Sequence, residues 1–254
     1  MDRDTIRPRH VVARATATVL TCLLALTFMT GSAHALPGGC SDHGDGNDPA
    51  RHYICNLYFI NLHQPGEGEV DYWLSVLSQG GTSAAVNGIV GSLESRQNTV
   101  GRFYNQFVER IPDPGGARYW SDAFGNGTWA ETLETALASS DEAYADAGGT
   151  NADFVDYLYD RVLDRSEGPD EATYWTGVLD GGASRASVAS FFINSDEGIA
   201  LWIDEWYNIY LDRSADSDGL AFWTGYVHSA GWLGARMAIA SSAEAYSNLS
   251  TGLI

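Results

Sequence analysis

Apolar residues recur along the chain at helical spacing, most clearly between Phe154 and Glu197. Phe154, Leu158, Tyr159 and Val162 form an i, i+4, i+5, i+8 stripe, which predicts a helix beginning near an Asn151 cap. Asp164-Arg165-Ser166 and Gly168-Pro169 end it, and Pro169 suits the first turn of a second helix, with Asp170 and Glu171 favourable against its dipole. That second helix is expected to bury Tyr174, Trp175, Val178 and Leu179 and to stop at Gly181-Gly182. Ser184 caps a third helix carrying Val188, Phe191 and Phe192; Ser195, followed by Asp196 and Glu197, caps the next. The pattern predicts three helices per unit and little strand.

The unit recurs. Its aromatic pair Tyr174-Trp175 is matched by Tyr72-Trp73, Tyr119-Trp120 and Phe222-Trp223, roughly fifty residues apart. Ten residues before the tryptophans stand Arg110, Arg165 and Arg213, with His63 in the first copy. After the tryptophans come Glu94, Glu142, Glu197 and Glu244, each two residues beyond a serine. The expected fold is all-α: about four tandem three-helix repeats stacked on one another, each unit burying apolar surface against its neighbours. Repeats one and two fill 51–144, a short linker 145–151 (ADAGGTN) follows, and repeats three and four fill 152–254. Pro112 and Pro114 are expected to forbid helix in the second copy's first loop. Trp202 and Trp206, four apart on one helix, are expected to dock onto copy three.

Residues 1–35 read as a secretory signal peptide: Arg3, Arg7, Arg9 and Arg14, then the apolar Val19 to Met29, then Ala33-His34-Ala35 as a cleavage site. The apolar run is too short for a good membrane span and no later stretch is long enough, so the expectation is a secreted chain, extracellular or in the cell envelope. Behind it, 36–50 is a Gly/Asp-rich lead-in. In an oxidising compartment Cys40 and Cys55 are expected to pair; free thiols, or a metal pair with His43 and His52, are the alternative. All 14 basic residues are arginines, against 33 acids, a net charge of −19. That field repels nucleic acid and anionic membranes and leaves neutral ligands and divalent cations open.

The copy-three landmarks Leu158-Tyr159, Val162-Leu163, Arg165, Tyr174-Trp175, Leu179, Gly182, Ser184-Arg185, Val188, Phe192, Ser195 and Glu197 carry a resemblance to DUF4214, a secreted bacterial repeat domain of unknown function. Copy three departs from that pattern where Glu167-Gly168 replaces a Pro-Asp pair and Glu171 a glycine; copy four supplies Asp216 and Gly219, and copy two Pro112, Asp113 and Gly116. The resemblance implies secretion or the cell envelope, often beside calcium-binding repeats or surface-layer proteins. It brings no catalytic residues.

Residues repeated in every unit point to construction rather than catalysis. Arg110, Arg165 and Arg213 are read as ending each first helix, bonding its last carbonyls and pairing with a carboxylate such as Glu94, Glu142, Glu197 or Glu244. Trp73, Trp120, Trp175 and Trp223 lie on an apolar stripe and read as core. Trp129 and Trp232, nine residues further on, sit near the start of a third helix; exposed there, they would stack on a sugar or an apolar partner group. Asp212, Ser214, Asp216, Asp218 and Gly219 imitate the opening of a calcium loop, but Gly225 stands where a bidentate glutamate belongs, so calcium is an expectation without its strongest ligand. No GxSxG, HExxH, phosphate-loop or dinucleotide motif occurs, and no other cofactor is implied. The functional expectation is a secreted interaction or structural module of the cell surface, not an enzyme, whose partner is a surface protein or glycan. A carbohydrate-binding or weakly calcium-dependent adhesion module is the alternative, and a hydrolase with a carboxylate pair is the second.

Overall fold

The computed structural model describes Cys40 and residues 48–127 and 130–252. The expected signal peptide, most of the lead-in with His43, and Trp129 lie outside the described residues. Within them the chain is all-α, with twelve helices and no strand. No helix among them is long and apolar enough to cross a membrane.

The helices follow the local chemistry of the sequence. Four serines, each two residues before a landmark glutamate, cap α3 (Leu93–Val108), α6 (Asp141–Ala147), α10 (Asp196–Leu211) and α12 (Ala243–Leu249). Each Ser Oγ accepts the backbone N–H three residues on, at 3.0 to 3.1 Å, satisfying a donor the helix cannot. The second-helix positions are α2 (Glu67–Val90), α4 (Pro114–Gly125), α8 (Pro169–Asp180) and α11 (Ser217–Ala240). Pro114 does not forbid helix. It is the first residue of α4, where its fixed φ fits and its missing N–H costs nothing.

Second and third helices are joined through a glycine of positive φ at Gly81, Gly127, Gly182 and Gly231. In α2 and α11 that glycine is a kink (φ 72° at Gly81, 74° at Gly231) between two nearly continuous segments. An L side chain is strained there. In the other two copies the third helices stand apart as α5 (Ala130–Ala138) and α9 (Arg185–Ile193), the latter capped by Ser184 as expected.

The first helices of copies two, three and four end in a left-handed residue that is acidic rather than glycine, Glu109, Asp164 and Asp212, φ 48° to 53°, whereas the first helix of copy one ends at Leu62 with φ −131°. The helices α3 and α10 run unbroken for 16 residues from serine cap to that corner. The run is divided in copy three, where the Gly148-Gly149 turn separates α6 from α7 (Asn151–Leu163), whose cap is Thr150 rather than Asn151. The expected linker is this turn with the adjoining helix ends, and α6 packs on α7. A matching pair is made by the two ends of the fold: α12 packs on α1 (Pro49–Asn61) as α6 packs on α7. Asn56 Nδ2 donates to the carbonyls of Leu249 (2.8 Å) and Gly252 (2.6 Å), and Tyr53 Oη to that of Ala240 (2.9 Å), fastening the seam.

Trp206, Tyr53, Tyr210, Phe103, Phe107, Phe154 and Phe192 are the largest fully buried side chains. Full burial of a Phe154-sized side chain contributes about 1.5–3 kcal/mol. One layer is polar: the buried Arg236 donates from Nε to Tyr210 Oη (3.1 Å) and from Nη2 to Asn61 Oδ1 (2.7 Å). Cys40 and Cys55 are joined as a disulfide, their Cα atoms 5.8 Å apart, which ties Cys40 to α1.

Candidate functional site

The repeated arginine and glutamate meet. Arg110 Nε and Nη2 donate to both oxygens of Glu142 (2.6 and 2.9 Å), Arg165 to both of Glu197 (2.5 and 3.2 Å), and Arg213 to both of Glu244 (2.5 and 3.1 Å). Each clasp pins the corner after a first helix to the serine-capped start of a later one. A further guanidinium bond goes in each case to the carbonyl of the next residue, Ile111, Ser166 or Ser214, and not to the end of the helix as expected; Arg165 also donates to both oxygens of Glu171 (2.8 and 2.9 Å). Each guanidinium also lies over a tyrosine of its own first helix, 5.1 Å from Tyr104, 4.7 Å from Tyr159 and 4.8 Å from Tyr207. In copy one His63 takes the arginine's place and its Nδ1 stands 2.7 Å from Glu94 Oε1.

The carboxylates register these bonds. The hydrogen bonds from Arg110 hold Glu142 below the usual carboxylate range, and those from Arg213 do the same for Glu244. Glu171 is lowered furthest, to about 2, by Arg165 first and the Gly168 N–H second. The copies close this loop in two ways. Copies two and four place an aspartate at the cap and a glycine three residues on: Asp113 Oδ1 accepts from Gly116 N (2.9 Å), and Asp216 Oδ1 from Gly219 N (2.8 Å). Copies one and three put the glycine at the cap and a glutamate three residues on, which reaches back: Gly66 N donates to Glu69 (2.8 Å) and Gly168 N to Glu171 (2.7 Å). One carboxylate serves each helix start, from opposite ends of the same turn.

This assigns the calcium-like run. Asp212 is the left-handed corner and Asp216 the cap of α11. Among the described residues no three His, Cys, Asp or Glu side chains converge as a metal-sized set.

Trp73, Trp120, Trp175 and Trp223 pack against the core but are only half-buried. Trp73 Nε1 donates to Tyr58 Oη (2.6 Å) and Trp223 Nε1 to Tyr207 Oη (2.9 Å), joining second helix to first. Their neighbours Tyr72, Tyr119, Tyr174 and Phe222 are 60%, 66%, 63% and 63% exposed, so the expected burial of Tyr174 is overturned. Adjacent residues on a helix point about 100° apart, and only one of the pair can face the core. Each exposed ring stands edge-on to its tryptophan, centroids 4.9 to 5.1 Å apart.

Trp232 is not the exposed face expected of it. It is 3% exposed, at the Gly231 kink, with its ring 5.3 Å from both Trp202 and Trp206 and 5.9 Å from Phe103. Trp202 and Trp206 thus meet Trp232, and Trp202 also meets Phe103 of copy two at 5.9 Å. Beside Trp232 lies a cavity of about 240 Å³ lined by Arg96, Thr99, Phe124, Glu131 and Met237 among others. Among the described residues Glu131 is the one carboxyl group lining it; burial raises its pKa, and its Oε1 accepts the Trp232 N–H (2.7 Å) freed by the kink.

The structure defines an all-α protein in which an arginine–glutamate clasp and an exposed aromatic ring each recur along the chain. Residues 134–202, from within α5 into α10, match the family model of DUF4214, a domain of unknown function. The match contains the Arg165–Glu197 clasp and the Tyr174-Trp175 pair. A search of curated proteins finds no match.

Proposed function

We propose that this chain is a secreted, non-catalytic interaction module of the cell surface or extracellular space, and that its exposed second-helix aromatics are the contact points. The observation that carries the reading is the recurrence of Tyr72, Tyr119, Tyr174 and Phe222, each at least 60% exposed at the same place in its copy. Exposed rings held on a helix against a neighbouring tryptophan present apolar area at low entropic cost, as binding surfaces do. Arg165 and Glu197, which a catalytic reading would recruit, are engaged with each other as Arg110 is with Glu142 and Arg213 with Glu244, and Glu171 is held by Arg165 and the Gly168 N–H.

The test is binding of the labelled chain to arrayed neutral glycans and to basic and acidic polypeptides, beside a variant carrying Tyr72→Ser, Tyr119→Ser, Tyr174→Ser and Phe222→Ser. Binding lost in a variant that keeps its helical circular dichroism is the expected result. Binding that survives all four substitutions, or turnover of any arrayed polymer, overturns the proposal.

A further inference from the structure

At one surface position copy three carries a ring where its relatives carry none. Six residues before the landmark glutamates stand Gly88, Ala136, Phe191 and Ala238. In copy one the Trp73 ring lies so close over Gly88 that a Cβ there would fall 2.0 Å from it. In copy three the position carries a phenylalanine, 60% exposed, whose ring is 4.8 Å from that of Trp175. Tyr174 stands against the same tryptophan at 5.0 Å. Copy three therefore presents Tyr174, Trp175 and Phe191 together, where the equivalent place in the other copies is backbone or a methyl group.

The chemistry that fits these rings is displayed elsewhere in the fold. Among the described residues seven arginines lie over aromatic rings at 4.4 to 5.9 Å: Arg102, Arg110, Arg161, Arg165, Arg185, Arg213 and Arg236. Several are held from the side by a carboxylate, as Arg165 is by Glu171 and Arg185 by Asp141. Among the described residues no arginine covers Tyr174 or Phe191, and the chain has no lysine to do so. Asp170, exposed and one turn before Tyr174 on α8, stands where a carboxylate would flank a cation placed on the tyrosine. A second copy of the chain would bring the same net charge of −19 and be repelled.

We infer that Tyr174, Trp175 and Phe191 form a docking surface for a basic polypeptide segment, whose arginine or lysine side chains lie over the rings and are held by Asp170 and the surrounding acidic field. This rests on the reading of the exposed aromatics as contact points and names what one of them takes. Cation–π attraction supplies the ring preference and the net charge speeds encounter.

The experiment is titration of the full exported chain with a Gly-Arg repeat peptide by calorimetry, at low and at physiological salt, beside a Gly-Glu repeat peptide and a panel of neutral oligosaccharides. Expected are binding of the Gly-Arg peptide alone, weakening with salt, and about tenfold weaker binding for Phe191→Ala and Tyr174→Ser. Asp170→Asn should weaken it about threefold, and Asp122→Asn, one charge removed elsewhere, should not. Circular dichroism verifies each fold. Equal affinity for native chain and Phe191→Ala would reduce the interaction to bulk charge and overturn the inference. Neutral sugars engaging Tyr174 and Phe191 would overturn it while leaving the aromatic contact reading intact; no binding of any probe overturns it as well.

Discussion

Tyr53, on the first helix, and Tyr246, on the last, hold their rings 5.0 Å apart, and Tyr144 and Phe154 hold theirs 5.7 Å apart across the Gly148-Gly149 turn. The interplanar angles, 56° and 55°, are also matched. One contact is made within a continuous stretch of chain and the other between its distant ends, so α12 supplies α1 with what α6 supplies α7. Tyr53→Ala removes a fully buried ring and its bond to the Ala240 carbonyl, and is expected to cost about 3–5 kcal/mol, measured by urea unfolding. A circular permutant opened between Gly148 and Gly149, with Gly252 joined to Asp48 by a short flexible linker, should keep the native circular dichroism.

The clasps should be separable from binding. Arg165→Ala is expected to lower the melting temperature by about 2–4 °C, the scale of a half-exposed ion pair with a stacked ring, without changing the affinity of a ligand held by other copies. His63→Arg should act in the opposite direction, giving copy one the bidentate pair with Glu94 that its relatives have. Differential scanning calorimetry checks both.

Acid should loosen copy three late. Glu171 is held at about 2 in the folded chain, below its ordinary value. A lowered carboxylate stabilises above its unfolded pKa and loses that contribution as pH falls toward the folded one. The melting temperature is therefore expected to fall between about pH 4.5 and 2, and the fall should shrink in Arg165→Ala. Glu131 is the reverse case: burial raises its pKa, so its contribution is complete below the ordinary carboxylate range and declines as pH rises through the folded value. Glu131→Gln, which keeps an oxygen for the Trp232 N–H, should raise the melting temperature at neutral pH.

Trp232→Ala should empty a buried site between Trp202, Trp206 and Phe103 and cost about 3–5 kcal/mol by chemical unfolding. Its effect on binding should not exceed what lost folding explains.

Reduction of Cys40–Cys55 should cost about 3 kcal/mol, the value for a loop of this size in the chain-entropy account. Melting with and without reductant measures it.

Helices were legible because caps and breakers are local. Ser184, Ser195, Pro169 and Gly181 act where their chemistry places them. The clasp was half legible: Arg165 and Glu197 stand out by recurrence, but which carboxylate an arginine reaches depends on how later helices return. Tyr174 and Trp175 read in sequence as one apolar block, but helical geometry separates their directions and leaves Tyr174 exposed. Trp232 was misjudged because its burial comes from α3 and α10, distant in sequence. Phe191 reads in sequence as one of three apolar residues of a third helix, and nothing local says that such a ring turns to solvent. The seam between α1 and α12 has no local signal at all.

That seam limits how the molecule can vary. An open array of helices lengthens by adding a unit to a free end. Here the face of α1 that would receive a preceding unit is occupied by α12, so an added unit would have to displace the Tyr53–Tyr246 contact before finding a place to pack. Growth would cost a cooperative break, whereas substitution on the exposed second-helix positions costs almost nothing. Adding a unit beside α1 is therefore a cooperative change, while the exposed second-helix positions can change one at a time.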